Sequence, residues 1–416
     1  MKALVFDLSI PKYLVARALG PKRRRLHYGA GTCFSLREVE VPRPPERSWG
    51  TIAPKLVGVC GTDLATIFFK LSPALSALSS SPAIAGHEIF AHVVAPPESA
   101  RDAMGRALPE GARVVIEPFV NCAARGLPPE QACASCKAEA WATCERAGTG
   151  PRKGMILGSG VELPGGFAER TIAHDSQIFS VEGRLQSDEV ASLVEPLAIA
   201  VQFIATRAPQ RGRVLVIGGG PIGLATVWAL DRLRPEVEIT LITLERFQLE
   251  HARRLGADKT LTPPYGVDVL EVLARETGSS LLKPVLGRPF LSGGYDAVFD
   301  CVGLPSTLDD ALRATRPRGM VVLAGCQGIV PSVDLTFVWA RELQVLGTVG
   351  YGYAPGPDGA RRRTFDLAID LMHDDEARLR PLVTHRFPLH RYGEAIDATV
   401  DRRSSQSVKV LIAPSL

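Results

Sequence analysis

The stretch from Val214 to Gly223 constrains the fold of this chain more than any other, because an apolar run leads directly into closely spaced glycines. The glycines are Gly218, Gly220 and Gly223, and a second apolar run, Leu224–Leu230, follows them. This order predicts a buried strand, a tight turn and a helix. The first glycine permits the turn, the second lets the backbone approach a pyrophosphate, and the third lets helix and strand pack closely. The stretch therefore predicts a dinucleotide-binding βαβ unit.

A second stretch, from Val57 to Glu88, brings together side chains that can bind a metal ion. It contains a thiol at Cys60, a hydroxyl at Thr62, an imidazole at His87 and a carboxylate at Glu88. Each residue alone would suit an ordinary role, such as a small core residue for the cysteine. Zinc, however, accepts sulfur, nitrogen and oxygen donors together, and a catalytic zinc site leaves one coordination position open. Together with the dinucleotide motif downstream, the stretch predicts a catalytic zinc site.

Four of the eight cysteines lie close together in one part of the chain; they are Cys122, Cys133, Cys136 and Cys144. Four thiolates at short spacing in a reducing compartment predict a closed, tetrahedral structural zinc site. Two disulfides are the alternative. The cysteines that have no other donor at metal spacing are Cys33, Cys301 and Cys326.

The overall composition indicates a globular protein and excludes several classes of partner. With 416 residues, 46% of them hydrophobic and 22% charged, the chain can form about two or three domains. A net charge of +4 is too small at this size to indicate nucleic-acid binding. No apolar run approaches the roughly twenty residues of a membrane helix, and the N-terminal residues show no secretory pattern. We expect a cytoplasmic protein with neither membrane nor nucleic acid as a partner.

The pattern of apolar residues changes near Glu189, from β-rich to alternating helix and strand. Before this point we predict strands at Lys2–Phe6, Thr51–Val59, Ile89–Val94, Arg113–Glu117 and Ala168–Ile172. Beyond it we predict strands at Glu238–Thr243, Ala297–Cys301, Met320–Ala324 and Gln344–Thr348, and helices at Glu189–Arg207, Gln248–Leu255 and Leu308–Ala314. A helix at Arg363–Met372 and a strand at Ser407–Ile412 complete the prediction. The alternation predicts an α/β fold with a doubly wound parallel sheet.

Two segments have no assigned chemistry. The segment Ser9–Phe34 contains an amphipathic stretch, Tyr13–Leu19, and a basic run, Lys22–Arg25, which we expect to form a solvated loop. The segment Ser279–Gly294 is longer than an ordinary connection and predicts a surface insertion.

Taken in order along the chain, the motifs form a family pattern. The matching pieces are Gly58-Val-Cys-Gly-Thr-Asp63, Gly86-His-Glu88, the four clustered cysteines, Gly165-Gly-Phe-Ala-Glu169, Glu195-Pro-Leu197, the turn Gly218–Gly223, Leu255-Gly-Ala-Asp258 and Lys409-Val-Leu411. With these pieces the chain resembles the zinc-dependent medium-chain dehydrogenase/reductases, the alcohol dehydrogenase superfamily. Within that superfamily it is most similar to the polyol, glucose and threonine dehydrogenase branch.

The resemblance implies a Rossmann nucleotide domain inserted into a GroES-like catalytic domain. We accordingly expect the catalytic domain at residues 1–185, with a zinc lobe at about 118–147, the nucleotide domain at 186–352, and a return to the catalytic domain at 353–416. One departure from the family lies in the lobe, where ten residues separate Cys122 from Cys133 and members usually have about two. The loop Asn121–Pro129 must therefore bulge. The segment Ser9–Phe34 is also longer than usual.

The resemblance further implies an enzyme that transfers a hydride between an alcohol or carbonyl substrate and NAD(P), with zinc polarising the substrate oxygen. It implies Cys60 and His87 as zinc ligands, completed by Glu88 or Glu195. It implies Thr62 as the first hydroxyl of a proton relay, the alternative being an ordinary turn residue. The residues expected at the cofactor are Gly218, Gly220, Pro221, Ile222, Gly223, Val302 and Gly303. We expect a homo-oligomer, either a dimer or a tetramer.

Cofactor preference is predicted from the residues after the second strand of the nucleotide fold. In such folds an acid about twenty residues past the glycines bonds the ribose 2′-hydroxyl and repels a 2′-phosphate. Counting back from Leu255 by analogy with the family places Thr243 at this position, with Arg246 close by. Thr243 cannot repel a phosphate and Arg246 can bind one, which favours NADP. Glu245 is the alternative acid, and it would favour NAD.

The segment between Asp63 and His87 bears on the substrate, because in the resembled fold this loop borders the substrate site. Lys70 is its only charged residue, and most of the others are apolar. An apolar border favours a bulky alcohol or aldehyde over a sugar, although the same residues could simply pack in the core. Two alternative functions also remain: a carbonyl reductase in the physiological direction, and a dinucleotide-binding relative without turnover. The intact metal motif argues against the second.

Overall fold

The computed structural model describes residues 1–325, 328–331 and 333–415, so Cys326 lies outside the described residues. The chain divides into two compact units. The first unit comprises Met1–Ala198, Gly350–Tyr353 and the chain from Arg362 to its end, and the second comprises Ile199–Val349 and Ala354–Arg361. In sequence, the second unit is thus an insertion within the first.

The strands of the described residues follow in chain order: β1 (Lys2–Phe6), β2 (Phe34–Glu38), β3 (Trp49–Gly58), β4 (Ala83–Ile84), β5 (Glu88–Ala95), β6 (Arg113–Ile116), β7 (Thr171–His174), β8 (Ile178–Ser180), β9 (Arg211–Ile217), β10 (Glu236–Ile242), β11 (Lys259–Leu261), β12 (Leu281–Leu282), β13 (Phe290–Leu291), β14 (Tyr295–Asp300), β15 (Thr315–Leu323), β16 (Gln344–Gly347), β17 (Tyr353–Pro355), β18 (Arg361–Arg363), β19 (Val383–Pro388) and β20 (Lys409–Ala413).

The α-helices of the same residues are α1 (Ile10–Leu19), α2 (Gly61–Ile67), α3 (Ala134–Lys137), α4 (Asp188–Ala191), α5 (Val194–Arg207), α6 (Pro221–Leu233), α7 (Phe247–Arg254), α8 (Val269–Thr277), α9 (Pro305–Ala314), α10 (Thr336–Ala340), α11 (Thr364–His373), α12 (Glu376–Leu379), α13 (Tyr392–Val400) and α14 (Arg402–Ser405).

The second unit is built on a six-stranded sheet in the order β11-β10-β9-β14-β15-β16, and the pairs of this sheet are parallel. Strand β9 lies in the middle of the sheet, and its residues Val214, Leu215 and Val216 are fully buried, as an apolar run in a two-sided parallel sheet requires. Counted from β9 outwards, the order is that of the doubly wound dinucleotide fold. The predicted doubly wound parallel sheet is confirmed.

The first unit is β-rich and carries a seven-stranded sheet, with the path β19-β20-β3-β5-β6-β8 and β7 paired to β3. Strand β3 is buried along most of its length, because it lies between β5 and β20 and packs its apolar residues in the core of the unit. A smaller sheet has the order β2-β1-β4. The C-terminal strand β20 therefore belongs to the same sheet as the strands that precede Cys60 and follow His87.

The predicted helix Glu189–Arg207 is divided in two by the structure. Helix α4 ends at Ala191, and α5 begins at Val194. Pro196 explains the division, because its ring clashes with the carbonyl four residues earlier, at Ser192, and it has no N–H to donate. The division places Glu195 in the first turn of a new helix instead of the middle of a long one.

Two further segments of the first unit are a predicted strand that is shorter in the structure and a stretch for which no structure was predicted. The predicted strand Ala168–Ile172 begins only at Thr171, since Phe167 and Ala168 make backbone hydrogen bonds and a single bridge to other parts of the first unit. The amphipathic stretch after Ser9 forms helix α1, with Pro11 in its first turn. Among the described residues, no helix combines the length and the apolar character required to cross a membrane.

Candidate functional site

The metal motif begins where strand β3 ends. Cys60 is the N-cap residue of helix α2, and its backbone N–H donates to Oδ2 of Asp63 at 2.9 Å. Oδ1 of the same carboxylate lies 3.5 Å from Nδ1 of His87. Asp63 thus connects the two parts of the motif through Nδ1 and leaves Nε2 of the imidazole for the hydroxyl of Thr62 or for a metal ion. Hydrogen bonding of one ring nitrogen to a carboxylate is the usual support for a metal-binding histidine.

The position of His87 depends on the glycine before it. Gly86 has φ +92°, and a Cβ there would lie 2.7 Å from the ring of Phe167. The hydroxyl of Thr62 lies 3.3 Å from Nε2 of His87. Burial disfavours the charged imidazole, but Asp63 and Cys60 raise the pKa of His87 well above its usual value. The hydroxyl and the imidazole therefore share one small polar site.

Glu88 completes this site. One donor atom from each of Cys60, His87 and Glu88 lies within 4.8 Å of the others. Glu88 is the first residue of β5 and is almost fully buried. A thiol, an imidazole and a carboxylate at this separation are a donor set that zinc accepts in catalytic sites. The residues present fit a catalytic zinc ion.

A buried lysine lies against the carboxylate of Glu88. The Nζ of Lys409, on β20, forms an ion pair with Oε2 of Glu88 and lies 3.4 Å from the carbonyl of Val59. Burial lowers the pKa of Lys409, but the negative groups of Glu88 and Cys60 raise it above its ordinary value. Gly58 makes room for the pair, since a Cβ at this position would lie 1.8 Å from Oε2 of Glu88.

Glu195 is held separately, by a tyrosine. The hydroxyl of Tyr351 donates to Oε1 of Glu195, and both side chains are buried. Burial and the nearby charge of Glu88 raise the pKa of Glu195 to about 7. The ring of Tyr351 packs edge-on against Phe119 and Phe365, so its hydroxyl has a defined direction. Glu195 lies outside the group of three donors that are within 4.8 Å of one another.

The four clustered cysteines come together as a second donor group, with one sulfur from each within 4.8 Å of the others. The Sγ atoms of Cys122 and Cys144 are 3.8 Å apart. Zinc–sulfur bonds of about 2.3 Å in a tetrahedron place neighbouring sulfurs about 3.8 Å apart. These cysteines are free thiols, so the alternative of two disulfides is not realised in the structure. The group fits a structural zinc ion.

Backbone amides also point at these sulfurs. The N–H groups of Cys122, Cys133 and Cys136 each donate to a sulfur of the cluster at 3.4 Å. The hydrogen bond from Cys136 and the neighbouring guanidinium of Arg125 lower the pKa of Cys144 to about 5, although burial opposes this. These groups favour a thiolate at Cys144, the form of cysteine that binds zinc, whereas burial raises the pKa of Cys122 and the hydrogen bond with Cys144 raises that of Cys136.

The long loop between Cys122 and Cys133 bulges, as the spacing required. Arg125 closes it from inside, because this buried guanidinium donates to the carbonyls of Val120 at 3.1 Å and Gly154 at 2.6 Å. The side chain of Asn121 accepts from the N–H of Ala124 at 2.8 Å. The additional residues are thus fixed to the lobe by hydrogen bonds and do not separate the cysteines.

The glycine-rich turn of the second unit connects β9 to α6. Gly218 has φ +100°, and a Cβ there would lie 2.5 Å from Val302. A Cβ on Gly223 would lie 1.8 Å from the carbonyl oxygen of Gly218, so a larger residue would force the helix away from the strand. Pro221 and Ile222 form the first turn of α6, where its unpaired N–H groups can face a phosphate.

Thr243 lies directly after β10, but its side chain is buried. Its hydroxyl donates to Oε1 of Gln248 at 2.6 Å and accepts from the N–H of Glu245 at 3.3 Å. The buried side chain of Gln248 also covers Gly219, where a Cβ would lie 2.5 Å from Oε1. The guanidinium of Arg246, three residues after Thr243, is exposed. The amide of Gln248 therefore lies against the glycine-rich turn at Gly219.

Val302 and Gly303 follow β14, the strand next to β9. Their N–H groups donate to Oδ1 of Asp300, at 3.0 Å and 3.2 Å, and Asp300 itself is fully buried. Because these donors are already used, any cofactor group here would meet the carbonyls of this turn and the half-exposed side chain of Val302.

Three residues of these sites are not predicted as site residues by the sequence patterns: Lys409, Tyr351 and Gln248. Lys409 and Tyr351 are 321 and 156 residues from Glu88 and Glu195 respectively, the differences between their residue numbers. Nothing in local spacing indicates such pairs. Gln248 could have been found, because it lies only five residues after Thr243 in the first turn of α7.

Two family models match the chain. Residues 47–183 match the alcohol dehydrogenase GroES-like domain, and residues 221–374 match the zinc-binding dehydrogenase domain. The first match contains the cysteine, histidine and carboxylate of the candidate metal site, and the second begins at the first residue of α6.

Individual dehydrogenases are also similar to the chain. The chain is 26% identical to L-idonate 5-dehydrogenase of Vitis vinifera, covering 86% of each chain. It is 28% identical to L-threonine 3-dehydrogenase of Symbiobacterium thermophilum, covering 94% of this chain and 97% of the relative. A crystal structure of a short chain alcohol dehydrogenase from E. coli CFT073, complexed with NADH, has a TM-score of 0.71 at 21% identity and covers 99% of both chains.

Proposed function

This chain belongs to the zinc-dependent medium-chain dehydrogenase/reductases, in the branch of the polyol dehydrogenases, and we propose that Cys60, His87 and Glu88 hold the zinc ion at which it acts. It is an oxidoreductase that transfers a hydride between an alcohol or carbonyl substrate and a nicotinamide cofactor. The single observation that supports the ligand set is the separation of the three donor atoms, all within 4.8 Å of one another.

Between the two candidate carboxylates, we assign Glu88 to the zinc ion and Glu195 to a supporting position. Glu88 shares the donor group with the cysteine and the histidine, whereas the hydroxyl of Tyr351 occupies an oxygen of Glu195. Lys409 neutralises part of the negative charge that a thiolate and a carboxylate bring together in a buried site. Glu195 would then contact the site through water or through its second oxygen.

The bound zinc ion would supply Lewis-acid polarisation of the substrate oxygen. The residues of the chain carry the proton that leaves the substrate and fix the orientation of the imidazole. Thr62, 3.3 Å from Nε2 of His87, is the hydroxyl next to the donor group and would be the first member of a proton relay, taking the proton that the substrate alcohol loses while it passes its own proton on towards solvent. Asp63 fixes the imidazole through its contact with Nδ1. Because one transition state serves both directions, the same residues serve alcohol oxidation and carbonyl reduction, and reductase remains the alternative physiological role.

The cofactor, in this proposal, is bound by the second unit at the turn from Gly218 to Gly223, with the pyrophosphate at the N-terminus of α6. Gly220 and the first helical residues, Pro221 and Ile222, would contact it, and Val302 and Gly303 would meet its nicotinamide half. The proposed nucleotide domain is residues 186–352, with 1–185 and 353–416 as the catalytic domain. The second compact unit differs from these bounds, because it begins at Ile199 and includes Ala354–Arg361.

NADP is the proposed cofactor over NAD. Thr243 carries no charge and its hydroxyl bonds Gln248, so it offers nothing to repel a 2′-phosphate. The exposed guanidinium of Arg246 follows the same strand and can bind that phosphate. Glu245 is the residue that would reverse the preference, since its carboxylate could bond the ribose in NAD.

The cysteine lobe, in this proposal, holds a second zinc ion that stabilises the fold and takes no part in the chemistry. A site with four protein ligands has no open position for substrate. The free state of the four thiols and the N–H groups that point at them support this assignment. The holoenzyme would then contain two zinc ions per chain, and we propose that it assembles as a dimer or a tetramer.

A bulky, weakly polar alcohol or aldehyde is the proposed substrate. The segment after Asp63 carries half-buried apolar side chains at Leu64, Phe68 and Phe69, and Lys70 is its only charge. Leu64 and Phe68 contact the core of the first unit, and Phe69 packs against Tyr13, so these side chains also have the packing role. A sugar would need several polar partners for its hydroxyls, and between Asp63 and His87 the segment supplies only Lys70 and the hydroxyls of serine and threonine. The test is a panel of medium-chain alcohols, aromatic alcohols, sorbitol and glucose, each assayed with both cofactors. A higher kcat/KM for sorbitol or glucose would refute the substrate proposal.

The proposed ligands are tested by Cys60→Ser and His87→Ala. Each variant should lose one zinc ion per chain and its turnover while it keeps the far-ultraviolet circular dichroism of the wild type. Cys33→Ser is the matched control, because Cys33 is also a free thiol of the first unit but has no place in either donor group. Full activity in Cys60→Ser would remove the site from the mechanism. A zinc-free wild type without turnover on any alcohol or aldehyde would favour the non-catalytic relative.

A further inference from the structure

Helix α1 turns an apolar face to the solvent. Its inner side is fixed to the first unit, because Ala16 is buried and the ring of Tyr13 packs edge-on against Phe69 with centroids 4.8 Å apart. Its outer side carries Ile10 and Leu14, which are 73% and 58% exposed. An amphipathic helix on a protein surface normally buries its apolar side chains, so this helix has the reverse exposure.

The exposed apolar side chains form one continuous face. Successive residues of a helix are rotated by about 100°, and the residues of α1 that point outward by this geometry are all apolar. We call this the α1 face; it consists of Ile10, Pro11, Leu14, Val15 and Ala18. Leu8 and Leu19, also about half exposed, extend it at its two ends.

Positive charge borders the α1 face on both sides. Lys12 and Arg17 lie at opposite edges of it by the same helical geometry. Lys22 and Arg23 follow the helix and are exposed, and no acidic residue occurs from Leu8 to Leu26. The next two arginines of the basic run differ, because ion pairs within the first unit neutralise them.

From this arrangement we infer that the α1 face binds the surface of an anionic lipid bilayer, lying in the interface without crossing it. Apolar side chains that enter the acyl boundary, with lysine and arginine at the level of the headgroups, are the features by which short helices bind such surfaces. A second copy of the chain fits less well. A twofold contact through this face would bring the cations of one copy against those of the other, with no acid in the segment to pair them.

The test is sedimentation of the purified, zinc-loaded full chain with vesicles. Vesicles of phosphatidylcholine with about 30% phosphatidylserine should carry the protein down, and pure phosphatidylcholine should carry much less. Raising the salt concentration should weaken the binding, because exposed charges are screened. The inference fails if the protein does not bind the anionic vesicles at low salt.

Variants separate the α1 face from the rest of the surface. Ile10→Ser/Leu14→Ser should lower vesicle binding by about tenfold, because two exposed apolar side chains no longer enter the lipid. Lys12→Gln/Arg17→Gln should also weaken binding and reduce its dependence on salt. Val161→Ser is the matched control, since Val161 is 55% exposed elsewhere in the first unit, and it should bind as the wild type does. Unchanged binding in the Ile10/Leu14 variant would overturn the inference.

Sedimentation velocity without vesicles tests whether a second copy of the chain, and not a bilayer, covers the α1 face. The Ile10→Ser/Leu14→Ser variant should have the same oligomeric state and the same thermal midpoint as the wild type, because both residues are exposed. If the variant instead dissociates and the wild type does not bind vesicles, the α1 face is an interface between copies of this chain and the lipid proposal is wrong.

Discussion

Lys409 and Glu88 form an ion pair in which each side chain is only 2% exposed. They lie on strands at distant points of the sequence, β20 and β5, which both pair with β3. A buried pair of this kind contributes little net stability as long as both partners are present, but removing one leaves an uncompensated charge. Because Glu88 is also a proposed zinc ligand, we expect the stability of the first unit to depend on whether that site holds its metal ion.

Replacing the lysine should destabilise the protein strongly. Lys409→Met leaves the carboxylate of Glu88 buried without a cation, which typically costs about 3–5 kcal/mol of unfolding free energy. We expect that loss in chelator-treated protein and a smaller one with zinc bound, because the metal ion then neutralises the carboxylate. Denaturant unfolding with and without chelator measures both. The double variant Glu88→Gln/Lys409→Met is the control, and it should recover most of the loss; a double variant as unstable as the single one would contradict the prediction.

Glu195 should give the metal-free protein a pH-dependent stability. Burial and the charge of Glu88 raise its pKa to about 7, from 4.5 for an ordinary glutamate. In this window the folded state retains a proton that the unfolded state has lost, so the contribution is complete below pH 4.5 and is lost as the pH rises towards 7. A shift of this size is worth about 3 kcal/mol. The difference in unfolding free energy between wild type and Glu195→Gln, both with chelator, should change by this amount between the two pH values. A difference that is independent of pH would contradict the prediction.

Tyr351 should matter for the position of Glu195 more than for the fold. Its hydroxyl donates to the carboxylate, and the bond lowers a pKa that burial raises. Tyr351→Phe removes the donor and keeps the packing against Phe119 and Phe365, so we expect the pKa of Glu195 to rise and kcat to fall at neutral pH with little change in thermal midpoint. The pH profile of kcat/KM is the measurement. A profile that overlays that of the wild type would show that the hydrogen bond has no role in turnover.

The cysteine lobe should lose stability, not chemistry, when a ligand is removed. Cys136→Ser leaves three of the four thiols of a structural site, and we expect one zinc ion fewer per chain and a lower thermal midpoint. Turnover measured below the new midpoint should stay near the wild-type value. Cys33→Ser again provides the control, with unchanged zinc content. A Cys136→Ser variant with both zinc content and midpoint unchanged would show that the lobe holds no metal.

Cofactor preference should respond to the residue after β10. Thr243→Asp introduces the acid that repels a 2′-phosphate, so we expect the ratio of kcat/KM for NADP to that for NAD to fall by about tenfold or more. Arg246→Gln should lower the efficiency with NADP and leave that with NAD nearly unchanged. A wild-type preference for NAD that disappears in Glu245→Gln would instead assign the role to Glu245.

Sequence patterns predicted the architecture where it follows from short motifs, although they missed Gln248, which lies only five residues after Thr243. The glycine-rich turn predicted the parallel sheet, and the separate Cys60 and His87 motifs lie together because β3 and β5 pair directly. The boundaries of local elements were less predictable, as the division at Ser192 shows. There, one proline outweighed the helical pattern of the residues around it.

Contacts between distant parts of the chain could not be predicted from spacing. The partners of Glu88 and Glu195 are supplied by β20 and by the short return Gly350–Tyr353, and only the fold brings them close. The direction of α1 is a similar case. Its amphipathic pattern was visible in the sequence, but the usual rule places the apolar face inside, whereas Tyr13 and Ala16 attach the opposite face to the unit.

Gly58 has a consequence for how natural variants of this protein are interpreted. The residue binds nothing, yet a methyl group there would occupy the place of the Glu88 carboxylate. Gly58→Ala, which a comparison of residue chemistry would grade as mild, should therefore behave like the loss of a ligand. Among homologous genes, a residue other than glycine at this position would indicate a chain in which the glutamate carboxylate cannot take this place, even if the cysteine, histidine and glutamate are all intact.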